Sequence, residues 1–285
     1  MRLSILLAPL SVSAIAISVP QKDYLSSRRC GASITPYEIA AAEAAFSAAS
    51  AQLKVSEVFN ATIPIYWHVI CAGDAISEGN ISDSQIEANL DVINKDYSAS
   101  GVRYALEGIT RTANASWFAN AGPQTSLQAD MKKELRQGGA NALNIYTVGF
   151  RNGPSRGLLG YSTFPSAYQG APQDDGVVIL YSTVPGGDLP KFNLGKTLTH
   201  EVGHWVGLYH TFEGGCLEPG DYVDDTPPEA LPSFGCPASK HTCTSPGMDL
   251  VHNFMDYADD DCMSEFTSGQ IARMVSQIST YRLGP

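Results

Sequence analysis

The segment "GKTLTHEVGHWVGLYH", residues 195–210, holds His200, His204 and His210 in a chain with 6 histidines among 285 residues. His200 and His204 are four apart, so on a helix their rings share one face, about one turn apart. Two imidazoles at that spacing can bind one zinc ion. Glu201, beside the first, can reach a water on the metal. Zinc lowers the pKa of such a water to about 7, and a carboxylate that takes its proton makes a nucleophile. Gly207 offers a route to a third ligand. Glycine readily adopts the left-handed conformation that ends a helix, and a turn there swings His210 beneath the metal. Three histidines leave one coordination position open, as in a catalytic zinc site; structural sites are closed and mostly cysteine-rich. His-Glu-x-x-His alone also turns up in ordinary helices, and Gly207 and His210 at fixed offsets narrow that reading sharply.

The elements that must position these residues form a mixed pattern. Residues 36–55 are alanine-rich and read as a helix. "ATIPIYWHVICAG" (61–73) is rich in β-branched and aromatic residues and reads as a strand. "SDSQIEANLDVINKDYSASG" has apolar residues at Ile86, Leu90, Val92 and Ile93, with Ser82 or Asp83 to cap it, and reads as an amphipathic helix. "VRYALEGITR", "NALNIYTVGF" and "DGVVILYSTVP" read as three more strands, and "GLLGYSTFP" between the last two as turns. After the histidine helix comes a long turn-rich stretch. "SEFTSGQIARMVSQISTYR" closes the chain as a helix started by Thr267 or Ser268.

Composition is that of a globular chain, 44% hydrophobic and 16% charged, with a formal net charge of −11. That charge argues against nucleic acid and anionic membrane surfaces as partners. It reads as a solubility device, with a taste for basic substrates as the sharper alternative. The N-terminus, "MRLSILLAPLSVSAIAIS", has a basic start, an apolar run and small residues, the layout of a signal peptide over 1–18. Its removal takes Arg2 and no acid. No later stretch is long and apolar enough to span a membrane. Secretion makes disulfides plausible among Cys30, Cys71, Cys216, Cys236, Cys243 and Cys262. Asn60, Asn80 and Asn114, with Thr62, Ser82 and Ser116, are sequons and candidate glycosylation sites.

"HEVGHWVGLYH" is the long zinc motif of the metzincin metallopeptidases. "HTFEGGC", "GDYVDDTPP" and "NFMDY" resemble the pappalysin family, and more narrowly its small secreted fungal members. The resemblance is dense over 195–275 and looser over 55–194. It implies zinc ligands His200, His204 and His210, Glu201 as general base, Met255 as the methionine of the turn beneath the metal, and Tyr257 as a phenol near the metal or the oxyanion. A phenol is a fitting oxyanion donor. The resemblance also implies disulfides Cys216–Cys243 and Cys236–Cys262. The implied fold is α+β: a twisted mixed sheet with helices above the zinc helix, over a loop-rich, disulfide-stapled lower subdomain with a C-terminal helix.

Two features stay open at this level. Cys30, in "RRCG", is either a cysteine switch, its thiolate on the open zinc position, or the partner of Cys71 in a third disulfide. Asp221, Asp224 and Asp225 are either a calcium site, which the family sometimes carries there, or a solvated acidic loop that makes local turn bonds. Asp259, Asp260 and Asp261 read as surface charge. The other reading places one of them in the pocket for the residue after the scissile bond, favouring Arg or Lys. His68 reads as a satisfied strand histidine.

The expected organisation is a leader at 1–18, a propeptide-like segment at 19–55 and a catalytic domain at 56–285, its upper part 56–209 and its lower part 210–285. The expected protein is a secreted monomeric zinc endopeptidase acting on proteins and peptides. The alternatives are a binding protein on the same scaffold and a zinc hydrolase of non-peptide amides.

Overall fold

The structure, a computed structural model, describes residues 27–51 and 59–283. The leader expected at 1–18 lies outside them, as do residues 52–55 of the alanine-rich segment.

Strands β1 (Ala61–Cys71), β2 (Val102–Ala113), β3 (Leu143–Val148), β4 (Gly160–Ser162) and β5 (Val177–Leu180) form one sheet in the order β2-β1-β3-β5-β4. All pairings are parallel except β4 against β5. Parallel strands are buried on both faces, which is why "LNIYTV" of β3 and "VVIL" of β5 are buried at every position. Ile63, Ile65, Trp67 and Val69 of β1 are likewise fully buried; each such side chain contributes roughly 1.5–3 kcal/mol on burial. The short edge strand β4 corrects the turn reading of "GLLGYSTFP". With only three residues, it carries no periodic signal and exists because Gly160–Ser162 pair with Val177–Ile179 of β5. His68 is satisfied inside the sheet by Thr110 Oγ1 at 2.7 Å and Asn144 Oδ1 at 3.0 Å.

Helix α1 (Pro36–Ser50) starts at Thr35, whose hydroxyl accepts from Glu38 N while the Glu38 carboxylate accepts from Thr35 N. Helix α2 (Asp83–Asp96) is capped in the same way by Ser82 and Gln85. Helices α3 (Ala115–Asn120) and α4 (Ser126–Leu135) follow β2. Helix α5 (Lys196–Trp205) carries the first two histidines, and α6 (Ser268–Gln277), capped by Thr267, runs on into a π-helical turn at Ile278–Arg282.

Helix α5 is buried from Thr197 to Trp205, so its position is set by the groups around it. Asp96 of α2 accepts from Lys196 Nζ at 2.7 Å and from Thr199 Oγ1 at 2.7 Å. Tyr97 donates its phenol to Thr199 O at 2.9 Å. At the other end, Trp205 O, which the helix leaves unpaired, accepts from Arg282 Nη2, and Gly207 O, two residues past the helix, accepts from Arg273 Nε, both at 2.9 Å. Below α5, from His210 to Thr267, the described chain has no helix or strand. Disulfides join Cys216 to Cys243 and Cys236 to Cys262 there.

Candidate active site

Gly207 has φ +95°, and the chain turns at it so that His210 comes back against α5. The His204 and His210 rings lie 4.5 Å apart and those of His200 and His204 4.9 Å apart. His200 gives its Nδ1 proton to Phe254 O at 2.7 Å, and His204 gives its own to Leu208 O at 2.8 Å. A carbonyl can only accept, so the proton sits on Nδ1 and each Nε2 keeps its lone pair for a metal. His200 Nε2 is buried without any partner. His204 and His210 bring their Nε2 atoms to 3.1 Å of each other, a contact that either a proton on His210 Nε2 or a cation shared by two lone pairs satisfies. Burial, with the neighbouring imidazoles, holds His200 and His204 well below the ordinary histidine range, and burial takes His210 to about 3. Neutral imidazoles with converging lone pairs fit a divalent metal such as zinc.

Glu201 lies on the same turn of α5 as the first histidine, and burial pushes its carboxyl up to about 8. It fits because residue 160 is glycine: a Cβ there would stand 2.7 Å from Glu201 Cγ. Gly203 has the same kind of reason. Met255 is fully buried, and a Cβ on residue 203 would run into its Sδ and stand 3.1 Å from its Cε. The turn around Met255 is held by Asn253, whose Oδ1 accepts from Met255 N at 2.9 Å and whose amide exchanges hydrogen bonds with Gln270 of α6. Tyr257 puts its hydroxyl 3.4 Å from His210 Nε2. Burial pushes the phenol's pKa up, so it stays a donor.

The N-terminal segment occupies this cleft. Cys30 pairs in parallel with Gly160 on the edge of β4, and Gly31 N donates to Gly160 O at 2.8 Å. Its Sγ lies 3.3 Å from Glu201 Oε2 and 3.6 Å from His204 Nε2. One ligand atom from each of Cys30, His200, His204 and His210 lies within 4.8 Å of the others. This corrects the Cys30–Cys71 alternative: both cysteines are free, and Cys71 is buried at the end of β1. Two residues before Cys30, Arg28 is 1% exposed. It bonds Asp260 Oδ1 at 2.5 Å, Thr197 Oγ1 at 3.2 Å and Ala258 O at 3.3 Å.

Asp260 therefore corrects the surface-charge reading of residues 259–261. It is 1% exposed, and its second oxygen accepts from Leu194 N at 2.8 Å and Lys196 N at 3.3 Å, at the start of α5. Three adjacent aspartates look alike in sequence; only the pocket distinguishes the middle one. Arg28 was equally silent, and only its neighbourhood to Cys30 could have flagged it.

Asp221, Asp224 and Asp225 do not meet. Among the described residues, the only groups of three or more close ligand atoms are the one around Cys30 and the one of Cys236, His252 and Cys262. Asp225 is taken by α6, accepting from Thr267 Oγ1 at 2.6 Å and Gly269 N at 2.8 Å. Asp224 is exposed. Asp221 is 5% exposed; its Oδ1 accepts from Thr226 Oγ1 at 2.6 Å, and its Oδ2 is buried with no partner. Of the sequons, Asn60 is exposed. Asn80 commits its amide nitrogen to Asp74 O at 3.0 Å, and Asn114 caps α3.

The comparisons with known proteins point the same way. The peptidase M43 family model, pregnancy-associated plasma protein-A, matches residues 146–279. The chain is 43% identical to an extracellular metalloprotease of Pyricularia oryzae, over 98% of this chain and 95% of that one. It is 39% identical to extracellular metalloprotease 1 of Coccidioides posadasii over the full length of both. Among solved structures, a mutant of Tannerella forsythia promirolysin superposes with a TM-score of 0.70 at 28% identity, covering 90% of this chain and 95% of its own. Mature mirolysin in complex with a cleaved peptide superposes with a TM-score of 0.61 at 31% identity, covering 76% of this chain and 91% of its own. Fold and site define a metalloendopeptidase of metzincin architecture. The chain belongs to the pappalysin family, peptidase M43, and is extracellular like its fungal relatives.

Proposed function

We propose that this chain is a zinc endopeptidase made as a latent precursor, with His200, His204 and His210 as the zinc ligands and Glu201 as the general base. The observation that carries this is the meeting of three Nε2 atoms and the Cys30 sulfur beside the Glu201 carboxyl. Bound zinc would supply Lewis-acid polarisation and a lowered water pKa. Glu201 takes a proton from the attacking water and passes it to the leaving amine. Tyr257 donates its phenolic proton to the oxygen on which charge develops. Met255 and the Nδ1 bonds of His200 and His204 hold the ligands in place.

The segment 27–51 lies where substrate must go. Cys30 would be a fourth ligand of the bound metal, so activity would require its removal, near the expected boundary at residue 55. The wider coverage of promirolysin than of mature mirolysin on this chain supports that reading. With the segment gone, Asp260 is left at the bottom of a pocket beside the start of α5, shaped around an arginine. A substrate arginine, or a lysine, after the scissile bond replaces Arg28 there. Calcium, the second metal of this reading, rests on Asp221 alone.

The test is casein cleavage by the processed chain and by its Glu201→Ala variant, with zinc content measured on both. Cleavage by the first only, at one zinc each, is the expected result. Absence of zinc from a folded, processed chain would sink the proposal.

A further inference from the structure

At the other end of the zinc helix, a second side chain of the N-terminal segment is seated in the catalytic domain. Glu43 of α1 accepts from Arg273 Nη2 at 2.5 Å, from Arg273 Nη1 at 3.1 Å and from Tyr209 Oη at 2.9 Å. The pair is largely buried, with side-chain exposures of 8% for Arg273 and 13% for Glu43. Within that segment the Arg273 guanidinium also lies 5.8 Å from the centre of the Phe46 ring, and groups outside the segment hold it as well. Its Nε donates to Gly207 O at 2.9 Å, and its guanidinium lies 5.0 Å from the centre of the Tyr209 ring and 6.0 Å from that of Tyr222. Removal of α1 leaves a guanidinium still tied through Nε to Gly207 O and a phenol, both without their common acceptor. A fork held in one plane matches the two oxygens of a carboxylate.

The location ties this socket to the cleft. Tyr209 adjoins His210, and Phe164 bridges the Tyr209 ring at 5.4 Å and the His204 ring at 5.3 Å. Arg28 and Glu43 thus fill pockets at opposite ends of α5, with Cys30 between them at the histidines. Helix α5 has 10 residues, about 15 Å at 1.5 Å per residue. An extended chain covers that distance in about four to five residues.

We propose that Arg273 and Tyr209 form a carboxylate subsite, filled by Glu43 in the precursor and by an acidic side chain of the substrate, about four residues before the arginine, in the processed enzyme. This rests on the proposed endopeptidase and its precursor. Such a subsite makes the enzyme select an acidic residue on one side of the cut and a basic one on the other.

The experiment uses the full chain after processing and two quenched fluorescent peptides. Both carry arginine after the scissile bond; one has Glu and the other Gln four residues before that arginine. Companion pairs move the Glu to three and to five residues. The best Glu peptide is expected to exceed its Gln partner about tenfold in kcat/KM, mostly through KM. That ratio falls to about one in Arg273→Gln and to a few-fold in Tyr209→Phe, which keeps the charge and loses one donor. A ratio near one in the unsubstituted enzyme at every spacing overturns the subsite, as does a ratio that survives Arg273→Gln. Binding of a labelled peptide of residues 27–51 to the processed chain reads the socket without turnover. Its Glu43→Gln version is expected to bind about tenfold more weakly, and equal binding overturns the socket even where no peptide is cleaved. Failure of cleavage with this binding difference intact would count against the endopeptidase and not against the socket. An active chain that retains residues 19–55 would overturn the proposal, since Glu43 then never leaves.

Discussion

The guanidinium of Arg28 and the carboxylate of Asp260 form an ion pair with side-chain exposures of 1% and 0%, two residues along the chain from the cysteine that meets the histidine cluster. In the proposed precursor, half of this pair belongs to the segment that leaves on processing and half to the domain that stays. Losing one partner of a buried pair costs about 3–5 kcal/mol where the other charge stays buried. Here the vacated pocket can admit water, so the lower end applies. Arg28→Ala is expected to lower the melting temperature of the precursor and to shorten its activation time several-fold. A time course of casein cleavage after secretion checks this, and an unchanged lag would show that Arg28 is no anchor.

Asp260→Asn acts on the other half. It keeps an acceptor for Leu194 N and Lys196 N and removes the charge that faces a substrate arginine. In the processed enzyme, cleavage before arginine is expected to fall at least tenfold relative to cleavage before leucine. Peptide libraries cut by the two enzymes give the ratio directly.

Cys30→Ser keeps the size of the side chain and removes the sulfur that lies beside Glu201 and His204. Thiolate is the better zinc ligand. The serine precursor is expected to process itself faster, with the same final activity. A lag equal to that of the unsubstituted chain would mean that blockage of the cleft, and not the sulfur, imposes latency.

Gly203→Ala places a methyl group against the Met255 sulfur. The helix would gain about 1 kcal/mol in propensity, and the clash outweighs it. The expected result is a net loss of about 1–3 kcal/mol, the usual cost of overpacking a core, with weaker zinc retention. Gly203→Ala with Met255→Ala restores space, so the pair is expected to be less than additive in thermal unfolding. Additive losses would exclude this contact as the cause.

Burial pushes Asp221 up to about 7 against its ordinary 3.8. The folded state then holds the proton more tightly than the unfolded one. Stability from this group is greatest below pH 4 and declines as pH rises towards 7. A cation on the unpartnered Oδ2 removes that penalty. With a calcium-selective chelator, the difference in melting temperature between Asp221→Asn and the parent chain is expected to grow from pH 5 to pH 8. Millimolar calcium is expected to abolish it. A difference that is flat in pH, or indifferent to calcium, would remove calcium from this loop.

The histidine motif was legible because its chemistry is local. His200 and His204 need only a helix to share a face, and Gly207 needs only its own backbone freedom to turn the chain. The long apolar strands β1 and β3 and the capping residues of α2 and α6 were legible for the same reason, since periodicity and caps act within a few residues. Strand β4 was not, because three residues carry no period and its pairing lies in β5. Asp260 and its two aspartate neighbours are equivalent in sequence, and burial against Arg28, 232 positions away, made the middle one a pocket floor. The two routes open to Cys30 were equal as chemistry; distance chose between them, placing its sulfur at Glu201 and His204 and leaving Cys71 alone at the end of β1. Residue type and short-range spacing set which groups can bind a metal or move a proton. Which carboxylate faces an arginine, and which thiol faces the histidines, depends on contacts between segments far apart in the chain, and those exist only once the core has packed.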